Sequence, residues 1–384
     1  MNKGMKHSVC ILRILLICLL VSGCAGKNME ENTKINREKV KWENETLIEN
    51  LQANFEVDSN LVRETELYTC EKQAVSAELL KELFFSHDLS ETKVETRLYD
   101  TELPEFGNAY TLTSAEGLTL FSSCEGALGK TKEADFYRNF LASDTAAWGL
   151  NGRPAKLGVA GEISYLNKVQ IENEIVAGLS KLMPYASVNE LKFYSLTPEY
   201  LTKIQNAELG RLEDEEDTSW YEREKEMVKE WKEEEGAYYI TVELAINQIP
   251  FNDAINQPLV DGTSLNSYTA NFIYNKNGCV FFELPKIWIE TTKEHQEMIT
   301  AAEALEALKE DMSLIILTHD YRIEGAEIKY FVINTPSKLE FEIRPIWVFD
   351  SKVTIEVVDE AGETVYEINP ENFYVDAVTS EVLR

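Results

Sequence analysis

Cys24 is the residue whose surroundings most plainly prescribe a reaction. It directly follows Val21-Ser22-Gly23 at the end of an apolar run that begins at Ile14, with Lys3, Lys6 and Arg13 ahead of that run. A basic start, a short apolar core and small residues before the next position are the three parts of an export signal. The small pair lets a peptidase reach the backbone, and a thiol immediately after it can carry a thioether. The run is shorter than the roughly 20 residues needed to cross a hydrocarbon core of about 30 Å. Residues 1–23 are therefore expected to be a removable signal peptide, with Cys24 as the site of lipid attachment.

The other residue types that do chemistry are scattered. His87, His295 and His319 follow the signal, but none stands at ligand spacing to another and no His-Glu-x-x-His occurs. Ser90-Glu91-Thr92-Lys93 has the Ser-x-x-Lys spacing of penicillin-binding enzymes and Ser187-Val188-Asn189 their Ser-x-Asn, yet the Lys-Thr-Gly partner is missing. Ser90 is better read as a turn or cap. The run Glu213-Asp214-Glu215-Glu216-Asp217 lacks the Gly and the alternate-ligand spacing of a calcium loop, which leaves a solvated face. Neither a Gly-x-Ser-x-Gly elbow nor a phosphate-cradling Gly loop is present. Paired carboxylates for glycosidic cleavage have too many candidates among 67 acidic residues for any pair to stand out. The sequence thus offers no catalytic residue, no cofactor-binding residue and no metal ligand.

Composition narrows the partners. Removal of residues 1–23 takes three basic residues and no acidic one, leaving 34 basic against 67 acidic. Such a field repels nucleic acid and anionic headgroups, so neither is an expected partner. Cys10 and Cys18 leave with the signal. Cys70, Cys124 and Cys279 then form at most one bridge and no metal pattern. Cys279, set among aromatic and β-branched residues, is expected to be a small buried apolar group.

The elements that would position any site follow from punctuation and period. Residues 24–48 are polar enough for a lipidated tether. Ser76 caps a short helix over 77–83, and strands with tight turns run from Tyr99 to Gly161, including 110–113 and 118–121. Leu166, Val169, Val176, Leu179 and Met183 recur at helical spacing before Pro184. A strand over 191–196 leads to Thr197-Pro198, the cap and first residue of a further helix. Residues 206–236 carry 13 acidic and 5 basic residues, with Trp220, Met227, Val228 and Trp231 on one face of an expected exposed amphipathic helix. Trp220 and Trp231 are its candidates for a partner surface, although packing on the protein's own sheet explains them equally well. A strand over 237–249 precedes a hairpin around Asn275-Lys276-Asn277-Gly278. Thr300 and Glu303 form a capping box ahead of Ala301, Ala304, Leu305 and Leu308. Strands are expected at 314–321, 327–333, 341–349 and 373–383, with Trp347 packed beneath the helix.

These pieces carry two resemblances. Val21-Ser22-Gly23-Cys24 resembles the lipobox of bacterial lipoproteins, which implies a diacylglycerol thioether at Cys24 and a place on the extracytoplasmic face of the cell membrane. Two acyl chains hold stably where one would not. Ala301-Ala302-Glu303-Ala304-Leu305, Pro345-Ile346-Trp347-Val348-Phe349 and Tyr374-Val375-Asp376-Ala377-Val378-Thr379 resemble PepSY-like domains, and more closely the C-terminal unit of the YycH and YycI regulators. Ser380 stands where that group usually has Gly. The likeness covers roughly 285–384 and implies a regulatory or binding module.

The expected fold class is α+β, built as tandem units of a helix on an antiparallel sheet with the last unit PepSY-like. The expected divisions are a β-rich region over 49–163, a middle unit over 164–284 and the last unit over 285–384. The expected function is a lipid-anchored, non-catalytic binding or regulatory protein that docks a protein or peptide partner. The alternative is a cell-envelope hydrolase with a dispersed carboxylate site. A solute receptor is disfavoured, since the strand–helix alternation of a parallel α/β sheet is missing.

Overall fold

In the computed structural model of the chain, residues 39–58, 64–85, 92–143, 161–213, 225, 228–253, 257–259, 264–334, 338–358 and 364–383 are described. The strands are β1 (Lys39–Ile48), β2 (Leu51–Asp58), β3 (Glu64–Gln73), β4 (Thr92–Leu98), β5 (Asn108–Ser114), β6 (Thr119–Ser123) and β7 (Gly126–Lys130). They continue with β8 (Ser187–Leu196), β9 (Ala237–Ile246), β10 (Ile249–Pro250), β11 (Gln257–Pro258), β12 (Ser264–Asn266), β13 (Thr269–Asn275) and β14 (Gly278–Leu284). The last are β15 (Ile287–Glu297), β16 (Asp320–Asn334), β17 (Glu340–Val358), β18 (Thr364–Asp376) and β19 (Val382–Leu383).

These strands form two large sheets, and this overturns the expected α+β tandem architecture: the protein is mostly β. The first sheet has ten strands, six along the path β1-β2-β16-β17-β18-β19, with β12 added on β16 and β11 on β12, and β3 and β15 added through β17. The second has nine along β10-β9-β13-β14-β7-β6-β5-β4, with β8 on β9. Hairpins of consecutive strands are joined into sheets by pairings between strands far apart in the chain. β3 lies antiparallel to β15, from Glu64↔Glu297 to Gln73↔Ile287, and β2 runs parallel to β16 at Leu51↔Tyr321. β7 pairs with β14 across the helices and strands between them. A separate helix-on-meander unit needs a sheet made of its own strands alone, whereas the meander β16-β17-β18-β19 is extended by β2, β3 and β12. Here the C-terminal strands are completed by the first strands of the fold, so the C-terminal hundred residues are part of a sheet. Val40–Arg384 is accordingly one compact unit.

One core runs between the sheets. It contains Ile240, Val242, Phe272 and Phe282 from the second sheet, and Tyr330, Ile343, Trp347 and Phe349 from the first. The helix Ala77–Phe84, capped by Ser76 Oγ accepting from Leu79 N at 3.2 Å, packs Phe84 on Phe272 and Phe282, with centroids 5.4 and 4.9 Å apart. The helix Lys168–Leu182 reaches the same layer, with Leu179 and Met183 of the periodic set buried and Leu166 packed beside them, but Val169 turned outward. Ile171, Ile175, Gly178, Leu179 and Leu182 are buried, whereas Val169 is 65% exposed. The helix comes closest at Gly178, where a Cβ would stand 2.6 Å from the Phe84 ring.

Other local expectations meet mixed outcomes. The capping box forms, with Glu303 N donating to Thr300 Oγ1 at 3.2 Å and Thr300 N to Glu303 Oε2 at 2.7 Å. Trp347 is buried, and its indole N–H donates to Ile299 O at 3.0 Å, just ahead of the helix Ala301–Met312. The strand expected over 237–249 is broken by Asn247 and Gln248, with φ of 50° and 69°, the conformation of a two-residue type I′ hairpin turn. Residues 314–319 are no strand. Leu314 and Ile316 are 81% and 91% exposed, and β16 begins only at Asp320, where pairing with Thr354 becomes available.

The exposed amphipathic helix expected over 206–236 is also corrected. A helix covers Pro198–Glu213, Trp220 and Met227 lie outside the described residues, and residues 228–232 are neither helix nor strand before a single 3₁₀ turn at Glu233–Glu235. Trp231 is buried rather than presented to a partner. Its ring centroid lies 5.2 Å from Tyr137, its Nε1 donates to Gln205 Oε1 at 3.3 Å, and the Lys229 ammonium sits 4.3 Å above it.

Candidate functional site

The site grows from the outer face of the second sheet, the face turned away from the main core. Register places its side chains in rows across four strands. Tyr194, Tyr239, Ile273 and Phe281 form one row. The next, two residues along each strand, is Lys192, Thr241, Asn271 and Glu283. A third holds Glu190, Glu243 and Thr269. Side chains two apart on a strand share a face, so all three rows point the same way.

The first row is roofed. The helices Ala134–Ser143 and Pro198–Glu213 bring Ala134, Tyr137, Leu201 and Ile204 onto Tyr239, Ile273 and Phe281, with Trp231 closing the layer. The second and third rows line a cleft of about 350 Å³. Its other side is formed by Asn266 on β12, Val332 on β16 and Asp253. There the sheets are stitched together by a parallel bridge between Phe251 and Tyr330, with Asn252 N donating to Tyr330 O at 2.8 Å. Asp253 is itself tied to Lys329 at 3.2 Å, and Lys329 to Glu327 at 2.7 Å.

A lysine clamp closes one end of the cleft. Glu125 sits in the two-residue turn between β6 and β7, held by Lys72 Nζ at 2.6 Å and Lys286 Nζ at 3.0 Å. The turn is pressed against the end of β14: a Cβ on Gly126, whose φ is +133°, would stand 2.6 Å from Leu284 O. Only Gly permits that approach and that backbone conformation. Lys72 comes from β3 in the first sheet and has a fully buried side chain, 5.1 Å above the Phe106 ring. Burial alone would push the Glu125 carboxyl up, but Lys286 and Lys72 outweigh it and hold it below the usual carboxylate range. In the same turn burial, reinforced by Glu125, pushes the Cys124 thiol up to about 11.

A second polar lock lies outside the cleft. Glu66 on β3 accepts from Tyr68 OH and from Asn247 Nδ2 at 3.0 Å, and pairs with Lys293 at 2.6 Å. Burial opposes its charge, yet these partners keep its carboxyl below the usual range. Asn247 belongs to the β9–β10 turn, so this contact fastens the second sheet to the first.

Glu190 and Lys192 pair with each other at 3.0 Å on β8. Glu243 and Glu283 are different: among the described residues neither is in an ion pair, and both face the cleft. They stand two strands and two residues apart, about 12 Å between Cα atoms at ordinary sheet spacings.

The residues singled out from the sequence fall elsewhere. Cys24, His87, Ser90 and 214–217 lie outside the described residues, as does the lipid attachment expected at Cys24. His295 is exposed on β15, its Nδ1 3.3 Å from Thr65 O, and His319 precedes β16. Ser187 Oγ donates to Ala245 O at 3.3 Å as a strand-edge contact. Cys70, Cys124 and Cys279 are free and buried. No group of three or more His, Cys, Asp or Glu able to hold a metal occurs among the described residues. The sequence carries one signal of the cleft: the outward positions of β9 change from Tyr239 to Thr241 and Glu243, and those of β13 from Ile273 to Asn271 and Thr269.

No family model matches the chain, and no curated protein does. The fold is similar to the crystal structure of an uncharacterized protein from Eubacterium rectale, with a TM-score of 0.58 and 12% identity over 88% of this chain and 92% of that one. At that identity the likeness concerns the fold alone.

Proposed function

We propose that this chain is a lipid-anchored, extracytoplasmic binding protein, held at the membrane through Cys24, which docks a protein or peptide partner in the cleft without turning it over. The observation that carries the docking reading is the half-roofed outer face of the second sheet. Two helices bury one row of side chains there, and the neighbouring rows of hydroxyl, amide, ammonium and carboxylate groups face a cleft. About 350 Å³ is near the lower end of small-ligand cavities, a size suited to side chains of a larger partner. Glu125, held down by its two lysines, is committed to the clamp that joins the sheets at the end of the cleft. The export signal and the Val21-Ser22-Gly23-Cys24 motif support the address.

The hydrolase reading has one observation in its favour, the pair Glu243 and Glu283 sharing the cleft without cations of their own. A photo-cross-linking residue at Asn271 in the membrane-anchored chain separates the two. Docking predicts one discrete adduct from that position and none from the exposed control Val169. Release of fragments from purified cell wall, abolished in Glu243→Gln or Glu283→Gln, would replace docking with catalysis. The anchor is tested by metabolic labelling with a fatty-acid probe, where Cys24→Ala should lose all label. Equal labelling of both chains refutes it.

A further inference from the structure

The chemistry of the occupant can be read from which charges of the cleft are already used. Glu125 is satisfied twice over by Lys72 and Lys286, Asp253 by Lys329, and Glu190 by Lys192. Both lysines of the lining are thereby spent, Lys286 on Glu125 and Lys192 on Glu190. An incoming anion would meet no uncommitted ammonium group there, and the two carboxylates outside these pairs would repel it. Glu243 and Glu283 remain, each with a carboxylate that no cation of the described residues neutralises. Between them, in register, stand Asn271 and Thr269 on β13. The floor therefore presents acid, neutral hydrogen-bonding group and acid across about 12 Å. An extended peptide repeats same-side side chains every two residues, about 6.5–7 Å. Two basic side chains placed two or four residues apart can meet both carboxylates at once, their backbone lying over the amide and hydroxyl between.

We infer that the cleft recognises an extended basic segment of the partner, an Arg or Lys at each of two positions meeting Glu243 and Glu283. The inference rests on the docking reading above and adds the partner's charge pattern to it. Guanidinium–carboxylate pairing gives geometric selectivity as well as energy, so Arg is favoured over Lys.

Fluorescence anisotropy with the full-length chain in detergent tests this. The probes are a labelled Gly-Arg-Ser-Gly-Ser-Arg-Gly peptide, whose two Arg lie four residues apart on one side of the extended chain, its Glu-for-Arg counterpart and free spermidine. The Arg peptide is expected to bind, the Glu peptide not to. Glu243→Gln and Glu283→Gln should each weaken binding about tenfold, with the double variant weaker than either. Both are partly exposed isosteric changes, and an unchanged thermal transition confirms the fold. Binding of the Arg peptide that is indifferent to the double variant, or equal displacement by 5–10 mM Mg²⁺ as for a condensed ion atmosphere, would overturn the inference, as would spermidine binding as tightly as the peptide. No peptide binding together with a discrete adduct at Asn271 would refute the basic segment alone and leave docking intact. Absence of both would remove docking as well.

Discussion

Two halves of one sheet face have been given opposite fates. Along β9, β13 and β14 the row Tyr239–Ile273–Phe281 is sealed beneath two helices, while the row Thr241–Asn271–Glu283, one pleat away, lines a cleft. The strands are continuous through both halves, so the backbone imposes no difference; the side chains do. Aromatic and branched residues recruit a second layer because burying each contributes about 1.5–3 kcal/mol. Hydroxyl, amide and carboxylate groups recruit none, because their desolvation without partners costs as much or more. A face with no packing duty is thereby free to be selected for what it meets.

The contrast breaks most severely when a charge is moved from one half into the other. Ile273→Asp places an unpaired carboxylate where only 1% of the residue is exposed, and should cost about 4 kcal/mol or more in urea unfolding. Asn271→Asp, two residues away on the same strand, should change stability by less than about 0.5 kcal/mol. Similar losses for the two would deny that the halves differ. Trp231→Ala opens the roof over the sealed half and should cost about 3–4 kcal/mol, with increased protease cleavage after Lys229. Glu125→Gln strips the buried Lys72 of its principal partner and should cost about 3 kcal/mol at neutral pH.

That last effect has a pH signature. The folded-state pKa of Glu125 lies below its unfolded value, so its contribution is complete above the unfolded pKa near 4.5 and is lost as pH falls through the folded one. The gap between wild type and Glu125→Gln should therefore close on acidification below about pH 4.5. A gap that widened there would reverse the assigned shift. The smallest change sharpens the far end of the molecule. Ser380, with φ +66°, turns the chain between β18 and β19, and Ser380→Gly should raise stability by about 0.5 kcal/mol, the relief of left-handed strain less the added unfolded-state entropy.

Local grammar was legible in the sequence where one short segment decides the outcome. The Ser76 cap, the Thr300–Glu303 box and the Asn277-Gly278 hairpin each depend on hydrogen bonds or backbone angles within a few residues. The fold class was not, because β3 meets β15 and β2 meets β16 more than two hundred residues away, and no periodicity encodes the partner of a strand. The helix Lys168–Leu182 was legible, with Leu179 and Met183 buried as its period suggests, but Val169 is exposed and Gly178, which carries no apolar signal, joins the buried face against Phe84. Trp231 looked exposed beside so many acidic residues, while its cover comes from Tyr137, almost a hundred positions earlier. The cleft was invisible for a related reason. Thr241, Asn271 and Glu283 are ordinary outward strand residues one by one, and become a floor only once β9, β13 and β14 lie side by side.

Filling that floor is the most direct test. Asn271→Tyr places a ring in the middle of the polar rows, where the partly exposed site leaves the fold room to accept it. The anchored variant should keep its thermal transition within about 2 °C of wild type while the adduct formed by a photo-cross-linker at Thr269 disappears. Retention of that adduct at wild-type yield, with the cleft blocked, would contradict docking at this face.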